Sequence, residues 1–143
     1  MANSFYAAFL NGILGSHATR VDLDADTIKM ALVDNGSADG APDAANDDFW
    51  DDQDAGLIGT AYTLAAKTIG TAGTGVFDNT TDPAPAFSSV SGATVESLVF
   101  FKDTGTPSTS NLTCYFDTAT GLPLTPNGGD VNVTFNGSGI FKV

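Results

Sequence analysis

Four short apolar stretches decide the fold: VESLVFFK at residues 95–102, NLTCYFD at 111–117, DVNVTF at 130–135 and IFKV at 140–143. All four are rich in β-branched and aromatic residues, which favour strands, and turn-forming residues separate them. The sequence NGSG at 136–139 predicts a tight turn that joins the last two stretches as a hairpin. The last third of the chain is therefore predicted to be a β scaffold.

The first of these stretches is apolar on both faces. Alternation puts Leu98 and Phe100 on one face, and Val95, Val99 and Phe101 on the other. A strand with two apolar faces lies deep in a fold or carries an interface.

The single cysteine, Cys114, alternates with Leu112 and Phe116 and is predicted to share their face. No His or Lys lies near it in the sequence to lower the pKa of its thiol. We therefore predict a buried core residue rather than a reactive thiol.

The amino-terminal residues predict a short helix. Asn3 or Ser4 is placed to cap it, Phe5 and Phe9 begin an apolar stripe at helical spacing, and Gly15 is placed to end it. A helix of about 12 residues does not persist alone in water, so it must pack on something. The sequence leaves open whether it packs on its own domain or docks as an arm on a neighbouring subunit.

Further strands are predicted at residues 27–33, 60–69 and 75–79, with a short one near Phe87. The prediction is a mainly β protein, a single-domain antiparallel β-sandwich of jelly-roll type with a short N-terminal helix. Residues 1–16 form the helix or arm, and residues 17–143 form the β-sandwich domain. An acidic insertion loop lies at about residues 36–58.

The chain is strongly acidic, with 17 acidic and 5 basic residues and a formal net charge of −12. Such a field repels nucleic acid and anionic lipid, and no apolar run approaches the roughly 20 residues that span a bilayer. We therefore expect neither a nucleic-acid nor a membrane partner. The amino terminus lacks the pattern of a signal peptide, which predicts synthesis in a cytoplasm.

Seven of the 17 acidic residues lie in the predicted loop, where Phe49 and Trp50 are the large aromatic residues. Two interpretations stay open. The aromatics either anchor the loop on the core or are offered to a partner, because tryptophan is frequent at binding hot spots.

The residues needed for most catalytic or metal sites are missing. The chain has one histidine, His17, and one cysteine, which together cannot supply a zinc site or a convincing nucleophile–base pair. The glycine run at 70–75 lacks the lysine of a phosphate-binding loop. We predict no catalytic residue, no metal and no cofactor. A small hydrolase using paired carboxylates is the competing enzyme hypothesis, and its candidates are Asp47, Asp48, Asp51 and Asp52.

One motif suggests a weak calcium site. Asp22, Asp24 and Asp26 match the first ligands of an EF-hand loop. The match then fails, because Thr27 stands where glycine is required and Val33 where the bidentate glutamate belongs. A weak ion site at these three aspartates remains an alternative.

Several segments, taken in order, carry a family resemblance. They are MANSFY at 1–6, DTIKMALVD at 26–34, FFKDTG at 100–105 and DVNVTFNGSGIFKV at 130–143. The chain resembles the small virion structural proteins of tailed bacteriophages, in particular the capsid decoration or cement type. The resemblance is weaker over residues 36–54.

The resemblance implies a non-enzymatic protein on the capsid exterior that stabilises the shell by bridging neighbouring major capsid subunits. It implies a homo-oligomer, with a trimer fitting a shell symmetry axis. A tail or neck protein and a calcium- or carbohydrate-binding β module are the alternatives. We predict that the partner-binding residues lie in the helix and the acidic loop: Phe5, Tyr6, Phe9, Leu10, Phe49 and Trp50.

Overall fold

The computed structural model describes residues 3–15, 20–37, 41–70, 75–79 and 86–143. His17 and most of the glycine run at 70–75 lie outside them. The described elements are one helix, α1 (Ala7–Ile13), and the strands β1 (Ser4–Phe5), β2 (Ile28–Val33), β3 (Leu57–Thr63), β4 (Thr68–Ile69), β5 (Val76–Asp78), β6 (Ala86–Phe87), β7 (Ser97–Lys102), β8 (Leu112–Phe116), β9 (Val131–Asn132) and β10 (Phe141–Lys142). The protein is mainly β with a short N-terminal helix, as predicted.

The main sheet has five antiparallel strands in the order β1-β8-β7-β2-β3. At its centre, β2 pairs with β7 in continuous register from Ile28 opposite Lys102 to Val33 opposite Ser97. Both strands are buried on both faces, because each is rich in β-branched and aromatic residues on both sides. The strands predicted at 27–33 and 95–102 are therefore confirmed.

Two apolar clusters cover the two faces of this sheet. On the first face, Met30 and Phe100 meet β5, β6, β9 and β10, which belong to a three-stranded sheet (β10-β5-β4) and a two-stranded pair (β6-β9). On the second face, Val99 and Phe101 meet Trp50. The result is consistent with a β-sandwich whose second face is closed by residues 41–56, which we call the acidic segment.

Val95 lies in the first cluster, not with Val99 and Phe101 as predicted. It precedes β7 and forms an isolated bridge with Leu124, so the alternation of the strand does not extend to it.

A β-bulge in β8 changes which face its side chains take. Phe100 lies opposite Cys114 but Phe101 lies opposite Leu112, which leaves Thr113 as the extra residue. Thr113 is buried, and its Oγ1 donates a hydrogen bond to the Phe100 carbonyl at 2.8 Å. Leu112 consequently belongs to the second cluster and Cys114 to the first, so the prediction that they share a face is wrong. Cys114 itself is buried, as predicted.

The predicted hairpin at the end of the chain is also wrong. The tight turn exists, since the Gly139 N–H donates to the Asn136 carbonyl at 2.9 Å. However, β9 pairs with β6 and β10 pairs with β5, so the two strands enter different sheets. The ring of Phe141 packs against Phe77 and Phe5, each with centroids 5.1 Å away, and this packing draws β10 across the fold.

The stretch predicted as one strand at 60–69 is two strands in different sheets, β3 and β4. Between them, Ala66 has a φ of 46°, a left-handed conformation that ends strand geometry. β3 is an outer strand of the main sheet, and its pairing is irregular. Tyr62 lies opposite Met30 and Ile58 opposite Leu32, so three residues of β3 face one of β2, and Gly59 within them has a φ of 74°.

The amino-terminal segment is part of the sandwich rather than a separate arm. β1 pairs with β8, with Phe5 opposite Cys114. Asn3 does not cap the helix; its Oδ1 instead accepts hydrogen bonds from the Thr118 Oγ1 at 2.8 Å and from the backbone N–H of Asp117 at 3.0 Å. Gly15 ends the helical segment with a φ of 85°, as predicted.

Ion pairs hold the ends of β2 and β7. Lys29 Nζ lies 2.6 Å from Asp103 Oδ2, and this hydrogen bond is the main reason that the pKa of Asp103 lies below its ordinary value of 3.8. A lowered carboxyl pKa stabilises the folded state above pH 3.8, and the stabilisation is lost as the pH falls below that value.

We expect Asp103→Asn to reduce the free energy of unfolding by about 0.5–1 kcal/mol at pH 7, because the pair is partly exposed. The difference from the native protein should shrink as the pH falls below 3.8, because the Asp103 carboxyl then becomes protonated. Urea denaturation across this pH range measures it. Asp24→Asn, at an exposed aspartate, is the control for loss of one charge. A loss that stays the same from pH 7 to the lowest pH at which the protein is still folded would contradict the assignment.

Candidate interaction surface

Four large apolar side chains lie exposed on the helical segment and on a strand beside it. Leu10, Ile13 and Leu14, on and just after α1, are 37%, 45% and 82% exposed, and Ile69 in β4 is 50% exposed. Ile13 and Ile69 line the same cleft, so the helix and the strand are neighbours here. We call these four side chains the apolar patch.

The cleft beside the patch has a volume of about 450 Å³. Phe9, Gly12 and Val21 contribute to its lining, and Arg20 and Asp22 supply its charged groups. Among the described strands, β4 is an edge strand of the three-stranded sheet and brings this edge to the surface. An exposed apolar group next to a strand edge is typical of a site of protein contact.

The helix sequence explains why this patch exists. Phe5 and Phe9 turn toward Phe141, with Phe9 buried and Phe5 half-buried. Leu10 and Leu14 stand four residues apart and form a second apolar stripe on the same helical segment. One stripe is enough to pack a helix of seven residues on the core, so the second remains outside.

The predicted partner-binding residues divide between core and surface. Tyr6, Phe9 and Trp50 are at most 6% exposed, so we assign these side chains to the core and correct the prediction for them. Phe5 and Phe49 are half-buried, and Phe49 forms a backbone bridge with Asn111. Leu10 lies in the patch, and its role in partner binding stays a prediction.

Ile13, Leu14 and Ile69 were not among the predicted site residues. Ile13 and Leu14 continue the apolar stripe of the helix, which is wider than a short helix can bury. This width indicates that some of its side chains stay exposed. Nothing in the local sequence places Ile69 beside them, because β4 reaches the helix only through the pairing of distant strands.

The acidic segment is anchored on the core. The ring of Trp50 stacks on Phe101 with centroids 4.3 Å apart and planes 3° from parallel. The backbone N–H of Trp50 donates to the Ser110 carbonyl at 2.8 Å, and the backbone N–H of Leu112 donates to the Asp48 carbonyl at 3.1 Å. Of the two interpretations of Trp50, the structure therefore shows the anchor.

The aspartates of this fold mainly close turns. The N–H of Asp22 donates to the Asp26 carboxylate, and the N–H of Asp43 donates to the Asp47 carboxylate, each at 2.8 Å. Asp26 also forms an ion pair, with its Oδ2 2.9 Å from Lys102 Nζ. One of the three aspartates of the suspected calcium motif is therefore already paired with a lysine. In the described part of the chain, no three His, Cys, Asp or Glu side chains group as metal ligands.

A second cleft, of about 470 Å³, opens between residues 119–124 and 130–134. Its buried floor is formed by Leu32, Val95 and Leu98. Its one charged group, Asp130, already accepts a hydrogen bond from the Ser89 N–H at 2.8 Å. The described residues that line it include no aromatic ring, so it lacks the stacking platform of many sugar sites.

The single cysteine, Cys114, is buried. Burial raises the pKa of the Cys114 thiol, so this sulfur is not an available thiolate. Comparison with protein-family models and with curated proteins gives no match. No described helix has the length and apolar character needed to cross a membrane.

Proposed function

We propose that this chain is a non-enzymatic virion structural protein of a tailed bacteriophage that decorates the capsid. It stabilises the shell by bridging neighbouring major capsid subunits, and it acts as a homo-oligomer, a trimer at a symmetry axis. The family resemblance of four ordered segments supports the phage assignment. The observation that carries the contact role is the apolar patch, four large side chains exposed on a strongly acidic protein.

The energetics of the patch suit a bridging role. Each large apolar side chain that becomes buried contributes roughly 1.5–3 kcal/mol before the costs of ordering. With a net charge of −12, the protein favours a partner whose apolar groove has a basic rim. Oligomerisation then multiplies a modest contact, because each further site binds at a high effective concentration.

The position of the patch on a rigid scaffold supports the same role. The helix that carries Leu10 and Ile13 is fixed below by buried Phe9 and by the pairing of β1 with β8. A preorganised surface loses little conformational entropy when it binds. The described fold thus offers a stiff module with an exposed contact face.

Cryo-EM of purified particles tests the placement. We expect density for this fold on the outer surface of the shell, in contact with more than one capsid subunit. Density confined to the tail or neck would overturn the capsid assignment and favour the alternative.

We expect Leu14→Asp to weaken binding to capsids at least tenfold, about 1.4 kcal/mol, because it places a charge in the buried contact. Leu14 is 82% exposed, so the melting temperature should change little. Co-sedimentation with particles lacking this protein measures the affinity. Ala93→Asp, at an exposed site outside the patch, adds the same charge and should bind normally. Equal weakening by both variants would show that only net charge matters.

A further inference from the structure

The chain contains four Asn-Gly pairs, at residues 11–12, 35–36, 127–128 and 136–137. An asparagine in such a pair can lose its side-chain amide without an enzyme. The backbone nitrogen of the glycine attacks the asparagine Cγ, and the approach is open because glycine has no Cβ. The attack requires a backbone N–H that can give up its proton, so the fold decides which pair reacts.

Two of the four pairs are held by the fold. The first lies in α1, where Gly12 is buried and the backbone is fixed in helical geometry. In the second, the Gly36 N–H donates to the Asp34 carboxylate at 2.8 Å, and the Asn35 Oδ1 accepts from the Ser97 hydroxyl at 2.6 Å. Both the nucleophile and its target are therefore engaged in this second pair.

The asparagines of the other two pairs are prepared for attack in the same way. Asn127 and Asn136 are both exposed. Each Oδ1 accepts a hydrogen bond from the backbone N–H two residues ahead, at 3.0 Å from Gly129 and at 2.9 Å from Ser138. A donor at this oxygen stabilises the negative charge that develops on it when the Cγ is attacked.

The glycine nitrogens of these two pairs differ. The Gly128 N–H donates to the Val90 carbonyl at 2.8 Å. Gly137 is exposed, and among the described residues its N–H has no hydrogen-bond partner. The position that a Cβ of Gly137 would take also has open space around it. Water and base therefore reach the Gly137 nitrogen, whereas a backbone hydrogen bond must first break at Gly128.

We propose that Asn136 is a site of spontaneous deamidation and that the fold protects the other three Asn-Gly pairs. The Gly137 nitrogen gives its proton to hydroxide and forms a bond to the Asn136 Cγ. The Cγ–Nδ2 bond breaks, and the nitrogen leaves as ammonia with a proton from water, which gives a cyclic succinimide. Water then opens the ring at either carbonyl to give aspartate or isoaspartate. The site is independent of the proposed capsid contact.

The isoaspartate product changes the turn that leads into β10. It routes the main chain through the former side chain of Asn136 and so adds one methylene to the backbone. The turn is closed by the Gly139 N–H, which donates to the Asn136 carbonyl at 2.9 Å, and the Ile140 N–H then donates to the Phe77 carbonyl at 2.9 Å. We expect the loss of one such bond to lower the melting temperature by about 2–5 °C.

Ageing of the purified protein tests the site. The folded chain and a chain unfolded in urea are incubated side by side at mildly alkaline pH, and peptide mapping by mass spectrometry gives the rate at each pair. Each rate in the folded chain is divided by the rate at the same pair in urea. We expect this ratio to be about tenfold higher at Asn136 than at Asn127, the factor that one backbone hydrogen bond supplies. Equal ratios at the two sites, or a higher ratio at Asn127, would overturn the proposal.

Two variants separate the chemistry from its consequence. Gly137→Ala has room for its methyl group and should keep the native fold, checked by circular dichroism, while it slows deamidation at Asn136 severalfold. An unchanged rate would show that the Gly137 nitrogen is not the nucleophile. Asn136→Asp carries the charge of the product on a native backbone and should melt close to the native protein. If the isoaspartate form, purified by ion exchange, melts at the same temperature as Asn136→Asp, the expected effect on the turn is wrong.

Discussion

Replacing Trp50 by alanine is expected to lower the free energy of unfolding by about 3–5 kcal/mol, the usual cost of removing a buried large aromatic side chain. The ring is 6% exposed and stacks in parallel on Phe101 at 4.3 Å, so its loss opens a cavity on the second face of the main sheet. Because residues 48–50 also pair with residues 110–112, we expect the acidic segment to detach from the sheet. Urea denaturation gives the free energy, and hydrogen exchange reports the detachment.

Trp50→Phe is the matched control for this substitution. A phenyl ring keeps an aromatic stack on Phe101 and fills part of the volume, so we expect a smaller loss of about 1–2 kcal/mol. If Trp50→Ala costs less than 1 kcal/mol, the ring is not a core anchor, and presentation to a partner becomes the better interpretation.

The second large effect concerns the amino terminus. We expect a chain lacking residues 1–14 to remain unfolded. The deletion removes the strand paired with β8, the fully buried Tyr6, and Phe9, which packs 6.4 Å from Phe141. Two buried aromatics together account for about 6–10 kcal/mol, which is comparable to the whole stability of a typical domain. Circular dichroism and thermal melting of the truncated chain measure the outcome.

A double variant separates loss of the patch from loss of the strand. Leu10→Ser with Leu14→Ser changes only exposed side chains and should keep a cooperative thermal transition. A truncated chain that folds and melts cooperatively would contradict the structure and restore the hypothesis of a separable arm.

The strands that the sequence predicts well are those whose pattern is local. Alternation and β-branched residues mark β2, β5, β7 and β8, and each lies inside its predicted stretch. Two features depend on distant contacts and leave no local signal. The bulge at Thr113 adds one residue without disturbing composition, and β10 leaves its predicted partner because Phe141 packs on Phe77 and Phe5.

The surface was harder to predict than the fold. Large aromatics such as Tyr6 and Trp50 suit both a core and a binding hot spot, and only three-dimensional packing separates the two roles. Leu10 was predicted to bind a partner and is exposed, whereas Ile69 joins the patch through the sheet. The Tyr6 hydroxyl and the Gln53 Oε1 are buried without a hydrogen-bond partner among the described residues. The sequence cannot indicate this, because a missing hydrogen bond is a property of the folded state alone.

The irregular pairing of β3 affects whether copies of the protein can add strands to one another at high local concentration. An outer strand with a regular backbone is a template on which another copy can add its own strand and begin a fibre. Three residues of β3 facing one of β2, with Gly59 in a left-handed conformation, bend this edge away from the flat geometry such growth requires. Crowded copies of the protein would therefore not extend the main sheet across the edge of β3.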